Sequence, residues 1–335
     1  MRISFRKLTA KRGGKVLLAL LTSVLLWEMA LRHLQRERVT EDPLFGMVQA
    51  PGVMIHRLNE GMATGHWDAE GIRVTPLAPV IGPRLLVLGD SFAEATQVND
   101  DEVFTTWLQR RWPELRVTNA GHSGHSPADY VGLGPRYLHR FNPVWTVIEV
   151  SSDDFTYDGF DAAKTHFIDR DAREVTVVPF RAGRTSPILM TLRAHSAFLD
   201  DGISKAGRYR MSSRMPPLFR AADVDRTRSP APDGPVEAEM DRMSETFGGR
   251  VTLAFVASYG PRDAIESRFI AHCGGRHFSC VDLRDSFAEF KARGDAPTGF
   301  PNSSFGSGHM NAAGHAALGR LLNRELERVR SVGLF

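Results

Sequence analysis

The stretch Arg84-Leu-Leu-Val-Leu-Gly-Asp-Ser91-Phe decides how the chain is read. Leu85 to Leu88 form an unbroken apolar run, the pattern of a short strand buried on both faces of a parallel sheet. Gly89 lets the backbone bend where that strand ends, and in open α/β sheets the carboxyl ends of the strands face the ligand crevice. A serine at such a turn is placed to act as a nucleophile once a base reaches it. Far downstream, Gly308-His309-Met-Asn-Ala-Ala-Gly-His315 offers His309 as that base, just ahead of a last helix.

Working outward, Leu115–Thr118, Val144–Val150, Val251–Val256 and Phe278–Leu283 read as four further strands. Asp100 or Asp101 is expected to cap a helix in which Val103, Phe104, Trp107 and Leu108 share a face, and Pro113 stops it. Ser126-Pro127 reads as an N-cap followed by proline at the first helical position. Helical segments fall around 261–272 and 285–292, and Asn311 caps a final helix whose apolar face holds Leu318, Leu321, Leu322 and Leu326. Strands alternating with helices predict a doubly wound parallel sheet in a three-layer α/β/α domain. Ser91 follows the first strand, Gly121 the second, Asp153 and Asp154 the third, and His309 the fifth, so all gather at one carboxyl edge.

These residues carry a family resemblance. Gly89-Asp90-Ser91-Phe92, Asn119-Ala-Gly121 and His309 resemble the first, second and last sequence blocks of SGNH (GDSL-type) hydrolases, of the membrane-anchored kind found in bacterial envelopes. Asp68-Ala-Glu-Gly71-Ile-Arg73 is similar to the Asn-x-x-Gly-x-Arg segment that often precedes the first strand in that family. The likeness covers roughly residues 40 to 330, with a poorly matched stretch at about 155–245. It implies a flavodoxin-like domain of about five parallel strands over 81–330, with Ser91 as nucleophile, His309 as base and no cofactor. It also implies an oxyanion hole from the backbone at Ser91 and Gly121 and from the position held by Asp153, with Asp90, Asp154, Asn119 and Ser307 in support. The reaction implied is transfer of an acyl group, acetyl above all, from an ester of carbohydrate. Water as acceptor makes an esterase and a sugar hydroxyl an O-acyltransferase. The alternative is an inactive relative that binds polysaccharide or supports an envelope assembly.

Two positions depart from the family pattern. The aspartate usually found two or three residues before the histidine is replaced by Ser307 and Gly306. The imidazole then leans on a backbone carbonyl, in a Ser-His dyad, or recruits an acid from elsewhere in the chain. Asp153 stands where an oxyanion-donating asparagine belongs, and a carboxyl group donates only when protonated. His122 and His125 lie in a Gly/Ser-rich turn near the crevice, and His315 reads as structural. No set of residues has the spacing of a metal site.

The 335 residues suit one large domain with appendages. Residues 1–40 carry nine Lys/Arg against two acids, while the rest is net acidic, so the basic balance belongs to the N-terminus and nucleic-acid binding is not implied. A basic leader over 1–15 precedes an apolar segment at 16–33, near the lower length limit for crossing a bilayer. An uncleaved anchor, with a cytoplasmic N-terminus and the body exported to the periplasm of a bacterial inner membrane, competes with a cleaved signal peptide. Residues 34–80 read as an irregular lead-in. Within 155–245, Arg173–Val178 reads as a strand of a small hairpin and 221–236 as a mobile loop. Cys273 and Cys280, the only cysteines, form a disulfide or stay as two buried thiols.

Overall fold

The computed structural model describes residues 4–36, 39–42, 46–56, 60–79, 81–156, 166–169, 174–177, 196–199, 236–275 and 278–333. The chain divides into two compact units, Met1–Arg38 with Ala182–Ala222, and Val39–Arg181 with Asp223–Phe335. In the first unit, helix α1 (Ser4–Leu34) contains one stretch, Gly14–Leu34, long and apolar enough to cross a membrane. Near its end the Glu28 carboxylate accepts hydrogen bonds from Arg32, from the Ser196 hydroxyl and from the backbone N–H groups of Ala197 and Phe198.

The second unit is built on five parallel strands: β1 (Arg84–Leu88), β2 (Arg116–Asn119), β3 (Pro143–Val150), β4 (Val251–Phe255) and β5 (Ser279–Asp282). Their order across the sheet is β5-β4-β3-β1-β2. β1 therefore has a neighbour on each side, pairing with β2 and with β3. That position explains its unbroken apolar run: Leu85, Leu86, Val87 and Leu88 are all fully buried. At about 1.5–3 kcal/mol for each such side chain, this one strand contributes on the order of 6–12 kcal/mol of hydrophobic stabilisation, one share of a core that draws on every strand of the sheet.

Helices cover both faces. Helix α3 (Phe104–Arg111) packs with the last helix α9 (Ala312–Ser331), and the Trp107 side chain comes so close that a Cβ on Gly319 would lie 2.6 Å from Trp107 Cβ. Helix α4 (Pro127–Phe141) packs against α6 (Val236–Thr246), and α6 against α7 (Ala264–Gly275). The expected α/β/α layering is thus present, and the order places the reversal of winding between β1 and β3, where such sheets open a crevice. A short helix α5 (Ser152–Thr156) follows β3, and α8 (Phe287–Arg293) follows β5.

Two local caps follow their sequence signals. The Ser126 and Asp129 side chains form a capping box with Pro127 at the first position of α4, and Asn311 Oδ1 accepts the Gly314 N–H at the start of α9. The cap of α3 differs from expectation. Its N-cap is Val103, which makes no side-chain capping bond. Asp100 instead accepts from Arg73 and pairs with His66, because a buried guanidinium requires a countercharge.

Residues 34–80 are more regular than expected. Val39–Asp42 pairs with Gly46–Gln49, and Gly52–His56 with Ala63–Trp67, each antiparallel. Ala63–Trp67 buries alternate residues, and a strand that buries only one side has a weak apolar signal in sequence. Within the poorly matched stretch, Glu174–Val177 pairs antiparallel with His166–Asp169, as the hairpin reading anticipated. The loop expected at 221–236 lies outside the described residues up to 235, and Val236 begins α6. Cys273 and Cys280 are joined in a disulfide that ties α7 to β5.

Candidate active site

Ser91 is the first residue of a four-residue helix, α2 (Ser91–Glu94), that starts directly after the turn leaving β1. Asp90 caps this helix by accepting the Phe92 N–H at 2.7 Å, and its own N–H donates to Glu149 Oε2 at 3.1 Å. A side chain on Gly89 would put a Cβ 2.5 Å from Ala93 Cβ and 2.6 Å from Glu149 Oε2, so only glycine lets the turn close this tightly. The far end of α2 stops at Ala95, in the left-handed region at φ 54°. Arg73 holds that end. Its guanidinium donates to the carbonyls of Glu94, Ala95 and Val98 and to Asp100, and lies over the Trp67 ring. An arginine this deeply buried is rare, and five donors in a fixed fork suit several orphan carbonyls at once.

The β2 side is fastened to the same helix. Asn119 donates to the Ala93 carbonyl at 2.9 Å and accepts the Gly121 N–H at 3.0 Å. A Cβ on Gly121 would fall 2.6 Å from the Glu94 nitrogen, so the backbone there lies directly against α2. Gly121 therefore sits against the helix that begins with the nucleophile, with its N–H already donated to Asn119. Glu94 is buried and accepts from the N–H and hydroxyl of Ser123. The rings of His122 and His125 stack with centroids 4.2 Å apart.

His309 reaches Ser91 from the loop ahead of α9. Its Nε2 is 2.9 Å from Ser91 Oγ, and its ring rests on Phe92 with centroids 5.3 Å apart. The other ring nitrogen, Nδ1, pairs with Glu60 Oε2, while the backbone N–H of His309 donates to Glu60 Oε1 at 3.0 Å. A carboxylate only accepts, so Nδ1 carries the proton and Nε2 is left to accept from the serine hydroxyl. Sequence reasoning left an acid from elsewhere as one of two outcomes and did not find Glu60. The signal was available in part: Glu60-Gly61 sits between two short alternating runs, the mark of a hairpin loop that can present a side chain. Gly308 makes the approach possible. It has φ +75°, and a Cβ on it would lie 1.7 Å from Glu60 Oε1.

The remaining expected site residues have their own local surroundings. Asp153 is exposed in the first turn of α5. Asp154 is buried and accepts from the N–H of Ser151 at 2.6 Å and from its hydroxyl. Ser307 donates its hydroxyl to the Ser304 carbonyl, on the loop surface. His315 is buried and stacked on Phe104, and burial, together with the positive charge of Arg73, holds its imidazole down at about 3. It is neutral and structural.

Beneath the nucleophile lies a buried acidic pair. Burial pushes the Glu149 carboxyl well above the usual range, and the negative charges of Asp90 and Asp154 push it further. Burial raises Asp90 as well, while hydrogen bonds from Phe92 and Glu149 oppose the rise. Two carboxyl groups in a dry site share a hydrogen bond only when one keeps its proton, and fully buried Glu149 is that one. The nearby Tyr130 phenol is raised too, by burial first and then by the same carboxylates. Among the described residues, no group of three or more His, Cys, Asp or Glu is arranged to hold a metal ion.

No family model and no curated protein matches the chain. Solved structures similar to it include a two-domain esterase active on acetylated mannans, co-crystallised with mannopentaose, at 12% identity and TM-score 0.41 over 75% of this chain. The chain spans only 50% of that protein's length. TesA matches at 14% identity and TM-score 0.40, over 73% of this chain and 99% of its own. A catalytic mutant of an acetylxylan esterase from Geobacillus stearothermophilus matches at 12% identity and TM-score 0.38, over 73% and 95%.

Proposed function

We propose that this chain is a serine esterase or O-acyltransferase of SGNH type, working through Ser91, His309 and Glu60 on acyl esters of carbohydrate. The observation that carries the reading is the continuous contact from Ser91 Oγ through the His309 ring to the Glu60 carboxylate. His309 Nε2 takes the hydroxyl proton as Ser91 Oγ attacks the ester carbonyl, and Glu60 stabilises the imidazolium that forms. The tetrahedral intermediate collapses to an acyl-serine as His309 returns the proton to the leaving alcohol. A second pass with water completes hydrolysis, and with a sugar hydroxyl completes transfer. The Ser91 backbone N–H, at the start of α2, is the proposed oxyanion donor.

The carbohydrate substrate rests on the family resemblance in the sequence blocks. The anchored topology rests on the basic leader and the apolar stretch Gly14–Leu34: six Lys/Arg precede Val16, where the uncharged run begins, which keeps the N-terminus cytoplasmic and puts the body on the periplasmic face. In the same reading, residues 81–330 are the hydrolase domain and 155–245 its insertion.

Intact-mass analysis of the detergent-solubilised chain after treatment with a fluorophosphonate tests the mechanism. One adduct, absent in Ser91→Ala, is expected. A folded wild-type protein that takes no adduct would shift the reading to a polysaccharide-binding protein that has kept the fold without the chemistry.

A further inference from the structure

Glu60 is a surface-loop residue asked to hold one orientation, and the loop that carries His309 supplies the means. Asn302 lies in that loop. Its side-chain carbonyl accepts the Gly61 N–H at 2.9 Å, and its amide donates to the Gly61 carbonyl at 2.8 Å. Both backbone groups of the residue next to the acid are thus held by one planar side chain, 241 positions away in the chain. Gly61 is wedged from the other side: it has φ +78°, and a Cβ on it would lie 2.2 Å from the Gln97 carbonyl oxygen, just beyond α2. The loop closes on itself through Gly299 N–H to His309 O and Gly306 N–H to Thr298 O, both 3.0 Å, so Asn302 and His309 belong to one braced unit.

Resting on the triad reading above, we infer that Asn302 is a positioning residue that registers the Glu60 segment against the histidine loop. It touches neither Ser91 nor the imidazole and acts through the Gly61 backbone. Misplacing a catalytic group by about 1 Å costs up to about 10²-fold in rate. Asn302 sits at the protein surface, so its removal spares the core.

The test uses the full chain in detergent micelles, p-nitrophenyl acetate as probe substrate, and the downfield NMR signal of the His309 Nδ1 proton. Asn302→Ala should lower kcat on the order of 10- to 100-fold with KM unchanged. It should also shift or remove the downfield signal in the same sense as Glu60→Gln. In the double variant Glu60→Gln/Asn302→Ala the loss should not exceed that of Glu60→Gln alone. A wild-type signal and kcat in Asn302→Ala, or losses that multiply in the double variant, would overturn the inference. Should Asn302→Ala unfold, Asn302→Ser decides by the same readouts. The two readings fail separately. Full activity in Glu60→Gln removes the triad, whereas a damaged Glu60→Gln beside a silent Asn302→Ala removes only the role of Asn302. The NMR signal reports on Asn302 even where the probe ester is not turned over.

Discussion

Glu60 and His309 are joined twice, once from ring to carboxylate and once from the histidine's backbone N–H to the other carboxylate oxygen. The double attachment fixes both the tautomer of the imidazole and its rotation, the two services an acid gives a serine–histidine pair. Glu60→Gln keeps the shape but adds a donor, so it permits the wrong tautomer. It should lower kcat by about 10²- to 10⁴-fold with little change in KM, measured on any soluble acetyl ester. Activity at the wild-type level would reduce the site to a Ser-His dyad.

Gly308→Ala should injure catalysis without replacing any member of the trio. The added methyl falls on Glu60 Oε1, and the residue has a left-handed φ that alanine tolerates poorly. A kcat loss comparable to that of Glu60→Gln is expected, together with a stability loss of about 1 kcal/mol in urea unfolding. An alanine variant with unchanged kcat would mean that the carboxylate does not need to be where it is seen.

Ser91→Ala should abolish ester turnover and fluorophosphonate labelling while leaving the circular dichroism spectrum and Tm intact. His309→Ala should do nearly the same. Unfolding in either variant would return that residue to a structural role.

By the family resemblance Asp153 holds the position of an oxyanion-donating asparagine, so Asp153→Asn restores an amide donor at that position. Since a single oxyanion donor is worth about 10²- to 10³-fold in other hydrolytic sites, a rise in kcat is expected. A sharp fall would assign the carboxylate a task of its own.

The buried acidic pair makes stability depend on pH in a defined direction. Glu149 keeps its proton in the folded protein above the range, about 4.3, where an unfolded glutamate loses it. The folded state then binds more protons than the unfolded one, so this group's contribution is present at low pH and declines as pH rises through and above that range. Glu149→Gln retains an N–H donor for Asp90 and does not titrate. The drop in Tm between about pH 5 and about pH 8 should therefore be smaller in the variant than in the wild type. A steeper drop would show that Glu149 is ionised in the folded protein.

What could be read in advance was what is local. The apolar run at Leu85–Leu88, the glycine turn, the Ser126-Pro127 start and the Asn311 cap are each decided by a few neighbouring residues, and the structure has them where their spacing puts them. The doubly wound class also follows from the alternation of strands and helices, whereas the order across the sheet comes from the structure, since several right-handed windings share that alternation. Glu60 was not legible because its role depends on a hairpin reaching across to a loop 249 residues away. Asp100 was read as a helix cap for the same reason in reverse: the guanidinium that claims it lies 27 positions earlier, and a local rule cannot see it. Gly121 was expected to offer its N–H to an oxyanion, and that N–H instead goes to the Asn119 side chain, a direction set by the Asn119 rotamer.

Because the acid enters ahead of β1, the boundary chosen for this domain changes its chemistry. A recombinant fragment cut to begin at Arg84 would contain all five strands, the serine and the histidine, and would lack the third member of the trio. Assayed alone, it would be scored as a degenerate relative. Under the reading proposed above, a search for an acid at a set distance before the histidine would pass over Glu60, which reaches the imidazole from 249 positions earlier in the chain.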